Sequence, residues 1–251
     1  MDKSESIAVI RPSEKLEILY QDEFYLAVNK PSGLLVHRSP ISKSEKRFAL
    51  QIVRNQVGCH VFPVHRLDRP TSGVLLFALS SEAAKRAARL FQSNLIKKTY
   101  MAVVRGYIQE SGTIDYPLKA LDAHSQSVPH LPSVTCYRRM ARIELPYAVD
   151  RYPTARYSLV ALFPLSERRN QLRRHMKHIS HPIIGDTRGD TRYGKSTHNH
   201  FFRNHFQVSR LLLAATTLKF SHPYTREEIN IEAKPGTYFE YVMSRLFCYP
   251  E

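Results

Sequence analysis

The chain has 251 residues and a formal net charge of +15, from 37 Lys and Arg against 22 Asp and Glu. With 43% apolar and 10% aromatic residues it can bury a full core, which excludes a chain that is disordered throughout. Its longest unbroken apolar run, Val74 to Leu79, is far short of the ~20 residues that a bilayer-spanning helix needs.

Residues 1–13 read as a flexible N-terminal segment and 14–251 as a single domain. The apolar run Ile7 to Ile10 is shorter than the ~7–15 residues of a secretory core, so a cytoplasmic protein is expected. Leu16 to Tyr20 and Tyr25 to Val28 predict strands joined by the turn Gln21-Asp22-Glu23. Gly73 to Leu79 has strand length. Ser80 or Ser81 then caps a predicted helix to about Ile96, with Ala83, Ala87, Leu90, Phe91 and Asn94 on one face. Thr99 to Val104 is the next strand, and 120–132 a loop. Val134 to Leu145 and Tyr157 to Leu165 are strands. From Arg168 to Ile179 the period becomes helical through Leu172, Met176 and Ile179, and His181-Pro182 stops it. Asp186 to Ser209 reads as a long polar loop. Arg210 to Phe220 and Ile229 to Ala233 are strands, and Pro235-Gly236 opens a last helix carrying Phe239, Val242, Met243 and Leu246. No regular βαβ alternation occurs, which gives an α+β class with a mostly antiparallel sheet.

Cys59, Cys136 and Cys248 are far apart and fit no zinc spacing, so reduced, buried thiols are expected. The charge calls for an acidic partner, and nucleic acid fits better than a membrane because no lysine-rich amphipathic helix is present. From Arg138 to Arg174 there are nine arginines against three acids, and arginine suits phosphate forks and base stacking. No GxGxxG, Walker, HExxH or GxSxG pattern occurs. His175, His178 and His181 lie at intervals of three, but no carboxylate or thiol joins them and arginines crowd them, so packing or RNA contact is favoured over a metal. His198, His200 and His205 are expected to be solvated in the long loop.

The most informative stretch is His65-Arg66-Leu67-Asp68-Arg69-Pro70-Thr71-Ser72-Gly73, which sets a carboxylate between two arginines just before an apolar strand. An ionised, partly desolvated Asp can attack a sugar carbon or stabilise positive charge on it. The same residues also suit a structural loop salt bridge. Ser72-Gly73 allows another backbone to come close.

This stretch resembles the HRLDxxTSG signature of the RluA-type pseudouridine synthases. Further segments resemble that family's motifs in the expected order: Val28 to Gly33 (VNKPSG), Lys97 to Tyr100 (K-x-Y), Gln171 to His175, His181 to Asp186 (HPIxGD) and Arg210 to Ala215 (RLxLHA). The resemblance covers roughly residues 16–240, with no S4-like domain before it. Val36-His37-Arg38-Ser39 and Arg151 to Tyr157 resemble phrases of the members that act on tRNA position 65.

The resemblance implies a pseudouridine synthase catalytic domain with a bent, mostly antiparallel sheet, flanking helices and a basic cleft. It implies Asp68 as the catalytic residue at the ribose. Tyr100 is implied to stack on the uracil and assist proton removal, Arg173 to pair with Asp68, and Leu213 to line the uracil pocket. Arg66 is implied to fill the gap left by the flipped base, and Arg66, Arg69, Arg168, Arg169 and Arg174 to bind RNA. The implied reaction turns uridine into pseudouridine in tRNA, by a monomer, with no cofactor and no metal. One carboxylate suffices because no outside water is activated. The same chemistry on ribosomal RNA or another tRNA site, and an RNA-binding protein with impaired catalysis, are the alternatives. Three positions depart from the family's pattern: Glu167 for glycine, Asn170 for histidine and Ala214 for histidine. They are expected to support the helix and strand of the site rather than act in the chemistry.

Overall fold

The computed structural model describes residues 14–38, 47–120, 129–187 and 197–247, so the N-terminal segment 1–13 and Cys248 lie outside the described residues. In chain order the first half runs β1 (Ile18–Gln21), β2 (Tyr25–Lys30), α1 (Ala49–Val57), β3 (Phe62–Pro63), β4 (Ser72–Ala78), α2 (Ser81–Gln92), β5 (Lys97–Arg105) and β6 (Ser111–Asp115). The second half runs β7 (Leu118–Lys119), β8 (His130–Leu131), β9 (Val134–Leu145), β10 (Ala155–Pro164), α3 (Gln171–His178), α4 (Thr197–Phe206), β11 (Leu213–Ser221), β12 (Glu228–Glu232) and α5 (Thr237–Phe247).

Side-chain alternation builds the first half. Leu26, Val28, Leu75 and Phe77 of the antiparallel pair β2–β4 meet Ala49, Ile52 and Val53 of α1. Tyr25, Ala27, Val74, Leu76 and Ala78 project the other way and meet Ala83, Ala87 and Phe91 of α2. Covered on both faces, β4 is buried at every residue, which is why its sequence is an unbroken apolar run. Ser80 starts α2 by accepting the Ala83 N–H at 3.1 Å. In the second half, Ala102, Val104, Val160 and Leu162 pack under α3 residues Leu172 and Met176. Val103, Tyr157 and Leu159 pack against Phe201 and Phe202 of α4 and Phe239, Val242, Met243 and Leu246 of α5.

The strands form a ten-stranded sheet in the order β1-β2-β4-β11-β5-β10-β9-β6, with β3 on β4 and β12 on β11. Its one parallel pairing is β4–β11, so the sheet is mixed but mostly antiparallel, and the α+β class holds. β11 joins the two halves: Ala215 lies opposite Gly73 on one side and Tyr100 on the other. Gly73 has φ +111°, and a Cβ there would stand 2.0 Å from the Ala215 carbonyl oxygen. Only glycine lets these backbones meet.

Three segments differ from the sequence reading. Residues 197–206 are a helix inside the stretch read as loop. Its His and Asn residues are weak helix formers, and burial of Phe201 and Phe202 outweighs them. His198 is accordingly buried rather than solvated, with Nδ1 2.8 Å from the Tyr157 hydroxyl. α1 had no start signal, since Phe48 at its N-cap makes no side-chain cap bond and no acid sits in its first turn; Gly58 ends it at φ +70°. Within the stretch 120–132, His130–Leu131 pairs with Leu118–Lys119. Cys59 is exposed and Cys136 half-buried, so neither is the buried thiol expected. No helix among the described residues is long and apolar enough to cross a membrane.

Burial holds the pKa of His198 down at about 4. The unfolded chain takes up that proton near pH 6.5, so between pH 6.5 and about 4 it binds the proton that the folded chain refuses. Stability falls as pH falls through this window, by about 3 kcal/mol from this residue at 1.36 kcal/mol per pH unit. Urea midpoints at pH 7.5 and 4.5 are expected to lie closer together in His198→Gln than in the wild type.

Candidate active site

A cavity of about 380 Å³ lies against the strands that β11 holds together. Asp68 reaches it from the turn before β4, where the Thr71 N–H donates to the Asp68 carbonyl at 3.0 Å. Tyr100 reaches it from β5, Leu213 from the start of β11 and Arg173 from the first turn of α3. Residues far apart in the chain are brought together by two registers, Ala214 opposite Ser72 and Ala215 opposite Tyr100.

Arg173 is 4% exposed, and a buried guanidinium requires a counter-charge. The nearest is Asp186. Arg173 Nε donates to Asp186 Oδ2 at 2.9 Å, and Nη2 donates to Oδ1. Nη1 donates to Asn170 Oδ1 at 2.9 Å and lies 3.7 Å from Asp68 Oδ2. The implied Arg173–Asp68 pairing is therefore present but secondary, and Asp186 is a site residue that the sequence reading placed in a motif without giving it a role. Its signal was the carboxylate closing His181 to Asp186.

The start of α3 is fixed by Gln171. Its Oε1 accepts from the Ser166 hydroxyl at 2.9 Å and the Arg168 N–H at 3.0 Å. Its amide donates to the Val134 carbonyl and the Thr135 hydroxyl, both at 3.0 Å. One turn on, the buried His175 bridges Thr135 Oγ1 at 2.9 Å and the Tyr116 carbonyl at 3.0 Å. His178 stacks on Tyr116 with ring centroids 3.6 Å apart, and His181 bonds the Arg105 carbonyl at 2.8 Å. The three histidines serve packing, His175 and His178 both against Tyr116 and His181 against the end of β5.

A second ionic pair flanks the cavity. Glu167 binds the ammonium of Lys98, whose side chain is 5% exposed. Lys98 sits over the Phe91 ring, which stacks on His65 at 4.9 Å. His65 Nε2 accepts the Leu76 N–H at 3.0 Å, and burial holds its pKa down at about 4, so it is a neutral strut. Burial, reinforced by Glu167 and Asp68, pushes the Tyr100 phenol far above its usual pKa and keeps it protonated.

Of the arginines assigned to RNA, Arg66, Arg168 and Arg169 line the cavity. Arg168 Nε is buried without a hydrogen-bond partner, which leaves a donor available there. Arg69 and Arg174 do not line it. Arg69 Nε donates to the Gly33 carbonyl at 2.9 Å, and Arg174 Nη1 to the Lys119 carbonyl at 2.9 Å. The fully buried Lys30 completes the support. Its ammonium donates to the carbonyls of Pro31, Leu34 and Arg69 at 3.0, 2.8 and 3.3 Å, tying the residue after Asp68 to the end of β2.

Residues 24–178 match the family described as RNA pseudouridylate synthase. The chain belongs to that family, isomerases that convert uridine in RNA to pseudouridine. Among curated relatives, proteins named tRNA pseudouridine synthase C are 51% identical in Yersinia pestis (92% of this chain, 90% of the relative) and 48% identical in Vibrio vulnificus strain CMCP6 (92% and 95%). Among solved structures, human RNA Pseudouridylate Synthase Domain Containing 1 superposes with a TM-score of 0.67 at 26% identity, covering 89% of this chain and 85% of its own.

Removing Asp186 strips the buried Arg173 of its nearest counter-charge. Asp186→Ala is expected to cost about 3 kcal/mol in urea unfolding and to lower kcat more than KM. Asp186→Asn keeps an acceptor and should cost less than the alanine.

Proposed function

We propose that the protein isomerises uridine 65 in the T stem of tRNA. The observation that carries the reading is the convergence of Asp68, Tyr100, Arg173 and Leu213 on one cavity rimmed by arginines. The curated relatives at about half identity are named for tRNA, and the sequence phrases at 36–39 and 151–157 resemble those of position-65 enzymes.

Asp68 acts at the ribose, by attack at C1′ or by removing a ribose proton. On either route the electron pair of the N1–C1′ bond leaves with uracil. Uracil turns within the cavity and C5 bonds to C1′ as the Asp68–C1′ bond breaks or, on the other route, as the ribose regains its proton; the proton on C5 then departs while N1 gains one. No atom is gained or lost overall, so the balance requires neither a cofactor nor a metal. Tyr100 offers its ring to the uracil, and its protonated hydroxyl is a hydrogen-bond donor at the cavity. Arg173 holds Asp68 by charge at 3.7 Å without occupying its oxygens in a close fork. Leu213 is an apolar wall. The exposed Arg66 fills the gap left by the flipped nucleotide, offsetting an unstacking cost of a few kcal/mol. A single chain supplies every one of these groups, so a monomer suffices.

The test is tritium release from tRNA labelled at C5 of uridine, because moving the glycosidic bond to C5 must expel that hydrogen. Wild type is expected to release tritium and Asp68→Asn to release none. Modification mapping is expected to place pseudouridine at position 65. Release from labelled ribosomal RNA but not from tRNA would overturn the substrate while keeping the chemistry.

A further inference from the structure

A second groove, of about 570 Å³, lies away from Asp68. Arg86 and Arg89 of α2, Lys97 of β5, Lys219 of β11 and Arg226 of the β11–β12 turn line it, with Glu228 as the acid on its wall. Two features there work against the stability of the free protein. Lys97 and Lys219 stand directly opposite each other in the β5–β11 register, and like charges so placed repel. Glu228 answers Lys219 at 3.6 Å, but both side chains are about half exposed or more, where such a pair contributes little. Arg226 adopts φ +67°, a left-handed conformation that costs an L-residue roughly 1–2 kcal/mol and that glycine adopts freely. A third feature preorganises the wall: Arg86 lies 4.4 Å over the Tyr224 ring, which itself stacks on Phe24 at 3.8 Å. An arginine retained at a strained turn and two opposed lysines are both stabilised once an anion lies between them.

We infer that this groove is a second contact for the RNA substrate, binding its phosphate backbone and not its bases. The inference rests on RNA being the substrate. β5 links the groove to the cavity: Lys97 is three residues before Tyr100, about 10 Å at 3.3–3.4 Å per residue, and the odd spacing puts the two side chains on opposite faces of the sheet, so one RNA that touches both passes around the protein. The groove sets five guanidinium or ammonium groups against the single carboxylate of Glu228, a balance that suits phosphates more than base edges.

The experiment measures tritium release and direct tRNA binding across a salt series. It compares wild type, Arg226→Gly, and the triple variant Arg89→Gln, Lys97→Gln, Arg226→Gly. The triple variant is expected to raise KM for tRNA about tenfold with kcat unchanged, and to make the slope of log affinity against log salt shallower by about two. Arg226→Gly alone is expected to keep or raise the melting temperature while weakening tRNA binding, a combination that a purely structural arginine would not produce. Unchanged KM and salt slope in the triple variant would overturn the inference. Absence of tritium release from the wild type would strike the proposed reaction instead, and the binding slopes would still decide the groove.

Discussion

A guanidinium taken out of water has to be neutralised, and the site is arranged around that requirement at Arg173. Asp186 answers it, and Asp186 can do so only because the chain just before it is tightly held. Ile184 N–H donates to the Val103 carbonyl and Leu212 N–H to the Ile184 carbonyl, both at 2.9 Å. Gly185, at φ +81°, brings its backbone against Arg210, where a Cβ would stand 1.9 Å from the carbonyl oxygen. One ion pair therefore joins α3, the segment before Asp186, the start of β11 and the end of β5. Asp68 comes third in this arrangement, 3.7 Å from the cation. A close fork would occupy both its oxygens, and a distant arginine would leave it uncompensated. On the proposed reading, the intermediate distance of 3.7 Å leaves the carboxylate available to a ribose.

The three departures from the family pattern each have a structural partner. Glu167, which stands in place of glycine, supplies the carboxylate for Lys98, a cation too buried to stand alone. Asn170, in place of histidine, takes Arg173 Nη1, and its φ of +56° is one that asparagine tolerates better than most residues. Ala214, in place of histidine, is fully buried between Ser72 and Met101 of the flanking strands. The first two hold charged groups at the cavity and the third fills core, so none of them removes Asp68, Tyr100 or Arg173 from place.

Much of this was legible in the sequence because it depended on local signals. The alternation at 25–28, the apolar run at 74–79 and the capping serine at 80 report burial and hydrogen bonding within a few residues of themselves. The site was legible through its motifs. What could not be read depended on distant partners. α4 forms because Phe201 and Phe202 find α5, although its own residues favour a loop. Asp186 gains its role only when Arg173 is seen to be buried.

The same reasoning bears on where the net charge of +15 acts. The arginine-rich stretch 138–174 looked like the RNA face, yet much of it is committed within the protein. Arg156 pairs with Glu144 at 3.1 Å and, like Arg142, lies over the Tyr107 ring, while Arg139 bonds the Ile108 carbonyl. Among the outward-facing cations are Arg66 at the cavity rim and Arg89, Lys97 and Lys219 in the groove. Phosphate contacts fix the register of a nucleic acid and leave its reading to contacts with bases. A substrate held by its backbone at a second point on the protein has little freedom to slide. On the proposed reading, selection of one uridine then rests on where the groove places the strand, and the cavity needs only to accept the uracil presented to it.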